Sequence, residues 1–254
     1  ALTRNFVKTM KQQQNKLVLS ITSLSVLGTL IVVWLQRPLP LPDFEHPEVE
    51  VKKQAFFDYL GPAIEDSNGE IRAQRAWLVG LAQSEAIDNF ALLQKEQLKT
   101  LASSYDLDSQ AVDSHQTLIQ ALLLRVDVIP KSLALVQAAK ESGWGSSRFA
   151  RNGYNLFGQQ CFDEGCGFTP ADRTAGRSHE VAEFDSVESA VRAYMHNLNT
   201  HYRYQEFRVL RAQLRKQEEA LTGVKLAPGL SAYSERGNAY VEEIIALIKH
   251  NGLE

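Results

Sequence analysis

At 254 residues the chain is long enough for one sizeable domain with an appendage, or for two small domains. Hydrophobic content of 44% and charged content of 22% exclude both wholesale disorder and a polytopic membrane protein. The net charge of −3 is unevenly spread: residues 1–42 hold five cations and no acid, so the other 212 carry −8. An acidic body excludes a nucleic-acid binder, which needs a basic face.

The first segment, residues 1–16, is basic, and it leads into Leu17 to Leu35, nineteen residues without a charge. As a helix this stretch reaches about 28 Å, close to the roughly 30 Å of a bilayer core, so one transmembrane helix is expected over 17–35. It ends in Trp34-Leu35-Gln36-Arg37 and lacks the small residues of a cleavage site, which predicts a retained anchor. Four cations precede the span and one follows it, which places the N-terminus in the cytoplasm and the body outside. Ser20, Thr22, Ser23, Ser25 and Thr29 leave the span weakly hydrophobic and suited to pairing with the helix of an envelope protein. Ala1 stands where a Met would begin a natural chain, and Leu253-Glu254 reads as a cloning scar.

Residues 36–47 contain four prolines in twelve positions and are expected to form an extended spacer. From Glu48 the apolar residues recur at helical spacing through Phe56, Phe57, Leu60 and Ile64, then Leu78, Leu81, Leu92 and Leu93. Further helices are expected over 94–105 and 109–125. Pro130 and Gly143 bracket a helix that is apolar almost all round and therefore central to the fold. Turn residues and alternating pieces over 158–184 predict a small antiparallel hairpin region. Asp185-Ser186-Val187-Glu188 predicts the cap of a helix running to about Tyr202, and two more are expected near 204–217 and 238–250.

Glu141 lies in the last turn of the central helix, on one face with Ala134, Gln137 and Ala138, whose small side chains leave room for a ligand. The helix dipole disfavours a carboxylate there, and partial burial against Trp144 acts in the same direction, so a raised pKa is expected. A carboxyl so tuned suits the acid of a glycosidase; an ordinary solvated Glu has the same spacing. Trp144, Tyr154 and Phe157 stand where they can line a sugar groove or belong to the core, and Asn155 can bind an acetamido group or hold a turn. Outside the cytoplasm, the spacing of Cys161 and Cys166 predicts a hairpin disulfide. His196 and His201 are five apart and share no helix face, so neither a metal nor a cofactor is expected.

The run SLALVQAAKESGWGSSRFARNGYNLFGQQC, continued by FDSVESAVRAYMHNLNTH and LSAYSERGNAYVEEI, resembles the glucosaminidase domain of peptidoglycan hydrolases (glycoside hydrolase family 73), in its Bax-like branch. The resemblance covers about residues 50–250. It implies an α+β, mainly helical, lysozyme-like domain with a small β-hairpin lobe over 48–254, including an N-terminal helical extension over 48–125. It also implies hydrolysis of the β-1,4 bond on the reducing side of N-acetylglucosamine in peptidoglycan glycan strands, and the charge step across residues 17–35 places that activity in the periplasm, at the bacterial inner membrane. The family's general acid falls on Glu141. The family's YATD tyrosine falls on Tyr233, within Tyr233-Ser234-Glu235-Arg236, and Tyr240 is the alternative because the spacing between the two is one residue longer than usual. A hairpin carboxylate of the family falls on Glu180, ahead of Glu183, Glu164 and Asp163, in a segment rebuilt around the two cysteines. The rivals are a muramidase or lytic transglycosylase on a similar fold, and a non-catalytic scaffold that grips glycan for an envelope complex.

Overall fold

The computed structural model describes residues 40–84, 91–169 and 179–254. The expected anchor over 17–35, the basic segment before it and the start of the spacer lie outside the described residues. Among those described, no helix is long and apolar enough to cross a membrane.

The chain is mainly helical with one small antiparallel sheet. Helix α1 spans Val49–Ala82 and continues through Pro62. Then come α2 (Leu92–Ser104), α3 (His115–Arg125), α4 (Lys131–Ser142) and the short α5 (Arg148–Gly153). Strands β1 (Gln160–Cys161), β2 (Gly167–Phe168) and β3 (Glu180–Ala182) follow. The remainder is α6 (Val187–Thr200), a 3₁₀ turn at Tyr202–Tyr204, α7 (Gln205–Lys216), α8 (Gly223–Leu226), a 3₁₀ stretch Ala227–Tyr233 and α9 (Asn238–His250).

Local chemistry sets the helix ends. Ser114 caps α3 by accepting from the Thr117 amide, which moves the start of that helix from the expected 109 to 115. Ser186 and Ser189 cap α6 reciprocally, which makes Ser186 the N-cap within the expected Asp185–Glu188 segment. Leu92 and Leu93 do not continue the buried stripe; in the first turn of α2 they are 76% and 69% exposed.

The centre of the fold is α4, in which every residue from Ser132 to Ala139 is buried. It packs against α1, α8 and α9, while α1 also packs on α3 and α6. The helical extension is therefore a wall of the core. The spacer is anchored as well: Phe44 is buried and meets the rings of Phe56 and Tyr59 edge-on at 5.3 and 5.5 Å. Leu253 packs against the core, and the Glu254 carboxylate accepts from Ser132 at the start of α4 and from the amides of Gly223 and Val224. These last residues are bound into the fold, where the sequence had suggested a scar.

The expected hairpin is a three-stranded sheet of order β1-β3-β2, with Cys161 opposite Glu180 and Gly167 opposite Ala182. The Cys161–Cys166 disulfide closes the turn between β1 and β2, and both strands then flank β3. Residues 170–178 of the predicted hairpin region lie outside the described residues.

The segment leading into α4 is fixed by a buried charge cluster that the sequence did not reveal. Asp127 is 2% exposed; Arg215 grips its carboxylate with two hydrogen bonds at 3.1 and 2.8 Å, and Arg75 lies 3.4 Å away. Arg211 is 1% exposed and donates to the carbonyls of Asp127, Val128, Leu124 and Arg125 and to Asn199 Oδ1. Burial alone would raise the Asp127 carboxyl, but the Arg215 hydrogen bonds and the charges of Arg211 and Arg75 hold it below the usual carboxylate range. Burial pushes Arg211 down to about 10, still protonated at neutral pH. Removing one member of a buried charge cluster costs about 3–5 kcal/mol, because the other charges stay buried. Asp127→Ala should therefore lower unfolding stability by about 3 kcal/mol, read from the urea midpoint; an unchanged midpoint would mean that the carbonyls alone satisfy the arginines.

Candidate functional site

Helix α4 ends abruptly because Gly143, Trp144 and Gly145 all adopt left-handed backbone, with φ of 58°, 61° and 78°. Such a conformation suits glycine and is uncommon for tryptophan. The chain leaves the helix axis at once, and the Trp144 amide still closes back onto the Ala139 carbonyl at 2.8 Å. Glu141, in the final turn, is left half-buried while the helix behind it is covered. Gly158, at φ 65°, passes directly over it: a β-carbon there would stand 3.5 Å from Glu141 Oε2. The ESGWG and NLFG sequences thus meet in space at this carboxyl.

The Glu141 pKa is raised above the ordinary carboxyl value, first by burial, with a Tyr240 hydrogen bond and the Lys140 charge pulling the other way. Of these causes the Lys140 charge is the smallest, and its ammonium is paired with another carboxylate. It lies 2.5 Å from Glu243 Oε2 and 5.8 Å above the Tyr240 ring. Glu243 also receives Arg236, and the two cations bring its carboxyl down to about 2. The bystander Glu243 is thus firmly ionised while Glu141 is biased toward its protonated form.

Behind Glu141 lies a group of tyrosines. The Tyr194 hydroxyl donates to Gln137 Oε1 at 2.6 Å, and Gln137 Nε2 donates to the Tyr240 hydroxyl at 2.9 Å. The Tyr233 ring stacks on Tyr240 at 5.5 Å, and its hydroxyl donates to the Phe157 carbonyl at 2.8 Å. Of the two tyrosines weighed from the sequence, Tyr240 is the one whose hydroxyl lowers the Glu141 pKa against burial, and Tyr233 is its stacked neighbour. Gln137 and Tyr194 were missed as parts of the site. A polar residue on an otherwise apolar helix, four residues before Glu141, was the available signal.

The other expected residues are placed as follows. Ala134, Gln137 and Ala138 are fully buried, so their face of α4 is not an open ligand surface. Trp144 turns toward α1, with its ring 5.8 Å from Phe56 and 5.3 Å from Phe57. Phe157 is 1% exposed and stacks on Tyr194 at 4.0 Å, which makes it a core residue behind the site. Both Asn155 amide hydrogens are spent on the Gln159 and Ala182 carbonyls, and Asn155 Oδ1 accepts from the Gln159 amide, so this residue ties the turn to β3. Tyr154 is half-buried at the left-handed end of α5. Glu180 accepts from the amides of Gly165 at 3.3 Å and Gly167 at 2.9 Å, holding the disulfide turn against β3. Glu183 and Glu164 are exposed, as is Asp163, whose carbonyl accepts from the Cys166 amide. Donor atoms of Cys161, Cys166 and Glu180 lie within 4.8 Å of one another, but the two sulfurs are joined as a disulfide and are not thiolate ligands.

The sequence model described as "Glucosaminidase: Mannosyl-glycoprotein endo-beta-N-acetylglucosaminidase" matches residues 116–253. The chain belongs to the glucosaminidase family. It is also similar to Protein bax of Escherichia coli (strain K12), with 35% identity over 212 residues that cover 83% of this chain and 74% of the relative. No solved structure matches. The family match begins at the second residue of α3 and takes in α4, the sheet and both tyrosines. The glucosaminidase domain thus contains Glu141, while α1, which walls its core, lies before the matched residues.

The raised Glu141 pKa has a consequence for stability. The folded chain holds this proton more tightly than the unfolded chain does, so stability is lost as pH rises from the unfolded pKa through the folded one. Glu141→Gln removes that titration. Its melting temperature relative to the parent should therefore be lowest at acid pH and should rise by a few degrees toward neutrality; a difference independent of pH would contradict the raised pKa.

Proposed function

We propose that this domain hydrolyses the β-1,4 bond on the reducing side of N-acetylglucosamine in peptidoglycan, with Glu141 as general acid. The observation that carries the reading is a half-buried carboxyl with a raised pKa at the open end of a buried helix, beside a lysine that is paired elsewhere. Such a group holds its proton to higher pH than an ordinary carboxyl and can give it to a leaving glycosidic oxygen. Membership of the glucosaminidase family supports this chemistry.

Glu180, the first candidate for activating water, is committed to two backbone amides. This favours participation by the substrate's own acetamido oxygen. That oxygen attacks C1 as Glu141 protonates the departing oxygen, and water then opens the cyclic intermediate while the Glu141 carboxylate takes the water's proton. Two displacements at C1 retain the anomeric configuration. The same commitment of Glu180 also favours a second reading, a scaffold that grips glycan without cutting it.

We further propose that residues 17–35 hold the domain on the outer face of the bacterial inner membrane. The Cys161–Cys166 disulfide supports an oxidising compartment such as the periplasm.

The test is digestion of purified sacculi by the full-length chain and by Glu141→Gln. General acid catalysis contributes about 10²- to 10⁴-fold, so the variant should keep about one per cent of the parent's turnover or less while still sedimenting with sacculi. Early products examined by NMR should have the retained anomer. Most of the turnover surviving in Glu141→Gln would remove Glu141 as the acid, an inverted product would remove acetamido participation, and a parent that binds without releasing fragments would favour the scaffold.

A further inference from the structure

We infer that Phe44 is a positioning residue for the proposed reaction: its ring lies on the left-handed turn that follows Glu141 and so fixes the acid beneath Gly158. The inference deepens the proposed function, since it rests on Glu141 being the acid. Phe44 stands well before residue 116, where the family match begins, so the matched domain is held at its acid by a residue outside it.

The contact is seen from Gly145. A β-carbon on that residue would stand 2.8 and 2.9 Å from two carbons of the Phe44 ring, too close for any side chain to fit. The ring therefore lies against the backbone of the turn itself. It is held there from behind, being buried and edge-on to Phe56 and Tyr59 of α1. From Gly145 the path to the acid is short. The Gly145 amide donates to Ser142 Oγ at 2.8 Å, the Ser142 hydroxyl donates to the Ala138 carbonyl at 2.6 Å, and Ser142 is the next residue after Glu141.

The turn needs such a clamp. Left-handed backbone at Trp144 is unfavourable for a residue with a side chain, and it persists only where the surroundings over-determine it. Helix α1 contributes by packing Phe56 and Phe57 on the Trp144 ring, and Phe44 contributes by filling the space beside Gly145. Removing the ring opens a cavity at that point, into which the turn can relax and carry Glu141 with it.

The preceding residue reaches the other piece of chain that meets at the acid. Arg151 of α5 donates to the Asp43 carboxylate at 3.0 Å. The chain leaves α5 at Gly153 and runs on to Gly158, where a β-carbon would stand 3.5 Å from Glu141 Oε2. Both members of the Asp43–Arg151 pair are exposed, so it adds little energy and serves mainly to orient the segment. Residues 43 and 44 thus rest on the helix that leads to the cover of Glu141 and on the turn that follows it.

The test compares the full-length chain in detergent with Phe44→Ala, well below the melting temperature of the variant, by turnover of solubilised glycan strands and by NMR of ¹⁵N-glycine. Trp144–Gly145 and Phe157–Gly158 are the only Trp-Gly and Phe-Gly pairs in the chain, so carbonyl-labelled Trp and Phe identify the two amides. Misplacing a reacting group by about 1 Å can cost 10²-fold, and a partial relaxation should lower kcat by about tenfold. KM should stay nearly constant, because the ring is buried beneath the turn. The Gly145 and Gly158 signals should move together, although Phe44 touches only the first. Phe44→Leu restores part of the contact and should recover most of the kcat. If Phe44→Ala does not fold, Phe44→Leu carries the test, and an unmoved Gly158 in that variant overturns the inference. A folded Phe44→Ala that keeps the kcat of the parent, or that moves Gly145 and leaves Gly158 in place, overturns it as well, since Phe44 then only fills space. Should the parent cut nothing, a joint shift of the two amides keeps Phe44 as the clamp while the hydrolase reading falls.

Discussion

Burial raises the pKa of a carboxyl, and the fold of this domain sets one carboxyl, Glu141, partly out of water at the end of its central helix. Helix α4 is buried along its length and exposes part of a carboxyl only in its last turn. Burying a helix on all sides requires neighbours on all sides, and α1, α8 and α9 supply them. The left-handed Gly143-Trp144-Gly145 turn removes the chain from the helix end, and the Gly158 backbone closes over the result. Each element has its own local reason to form, but their common effect is a carboxyl with restricted access to solvent.

Electrostatics around this point follow from where the cations are sent. Lys140 adjoins Glu141 in sequence, yet Glu243 and the Tyr240 ring hold its ammonium. Arg211 and Arg215 of α7 are drawn to Asp127 and to the carbonyls at the end of α3. That second cluster fixes the backbone just before α4 begins, so the start of the helix is held by buried charge and its end by backbone turns. In a low-dielectric interior an unpaired charge would be costly, so the buried arginines are paired, while Lys140 lowers the Glu141 pKa less than burial raises it.

Much of this was legible in the sequence. The central helix announced itself through Pro130, Gly143 and an almost wholly apolar run, and ESGWG followed by NLFG marked the place where the chain turns around Glu141. The cysteine pair was readable from its spacing. Other features depend on partners far apart in the chain. Gln137 meets Tyr194 and Tyr240 across separations of 57 and 103 residues, and Arg215 meets Asp127 across 88, distances over which local pattern carries no signal. Trp144, Asn155 and Phe157 have the residue types of a sugar-binding groove, but their side chains are taken up by α1, by the turn and by Tyr194. A groove residue and a core aromatic look the same in sequence, because what separates them is the direction of the side chain. The sheet order was likewise hidden, since the disulfide turn lets two short strands flank a third that arrives later in the chain.

The central claim is that this half-buried acid cuts glycan next to N-acetylglucosamine, and the bond that is cut leaves a chemical record in the product. The most direct measurement is mass spectrometry, after borohydride reduction, of the fragments that the full-length chain releases from purified sacculi. The account predicts fragments ending in reduced N-acetylglucosamine; ends in reduced or 1,6-anhydro-muramic acid, or no fragments at all, would contradict it.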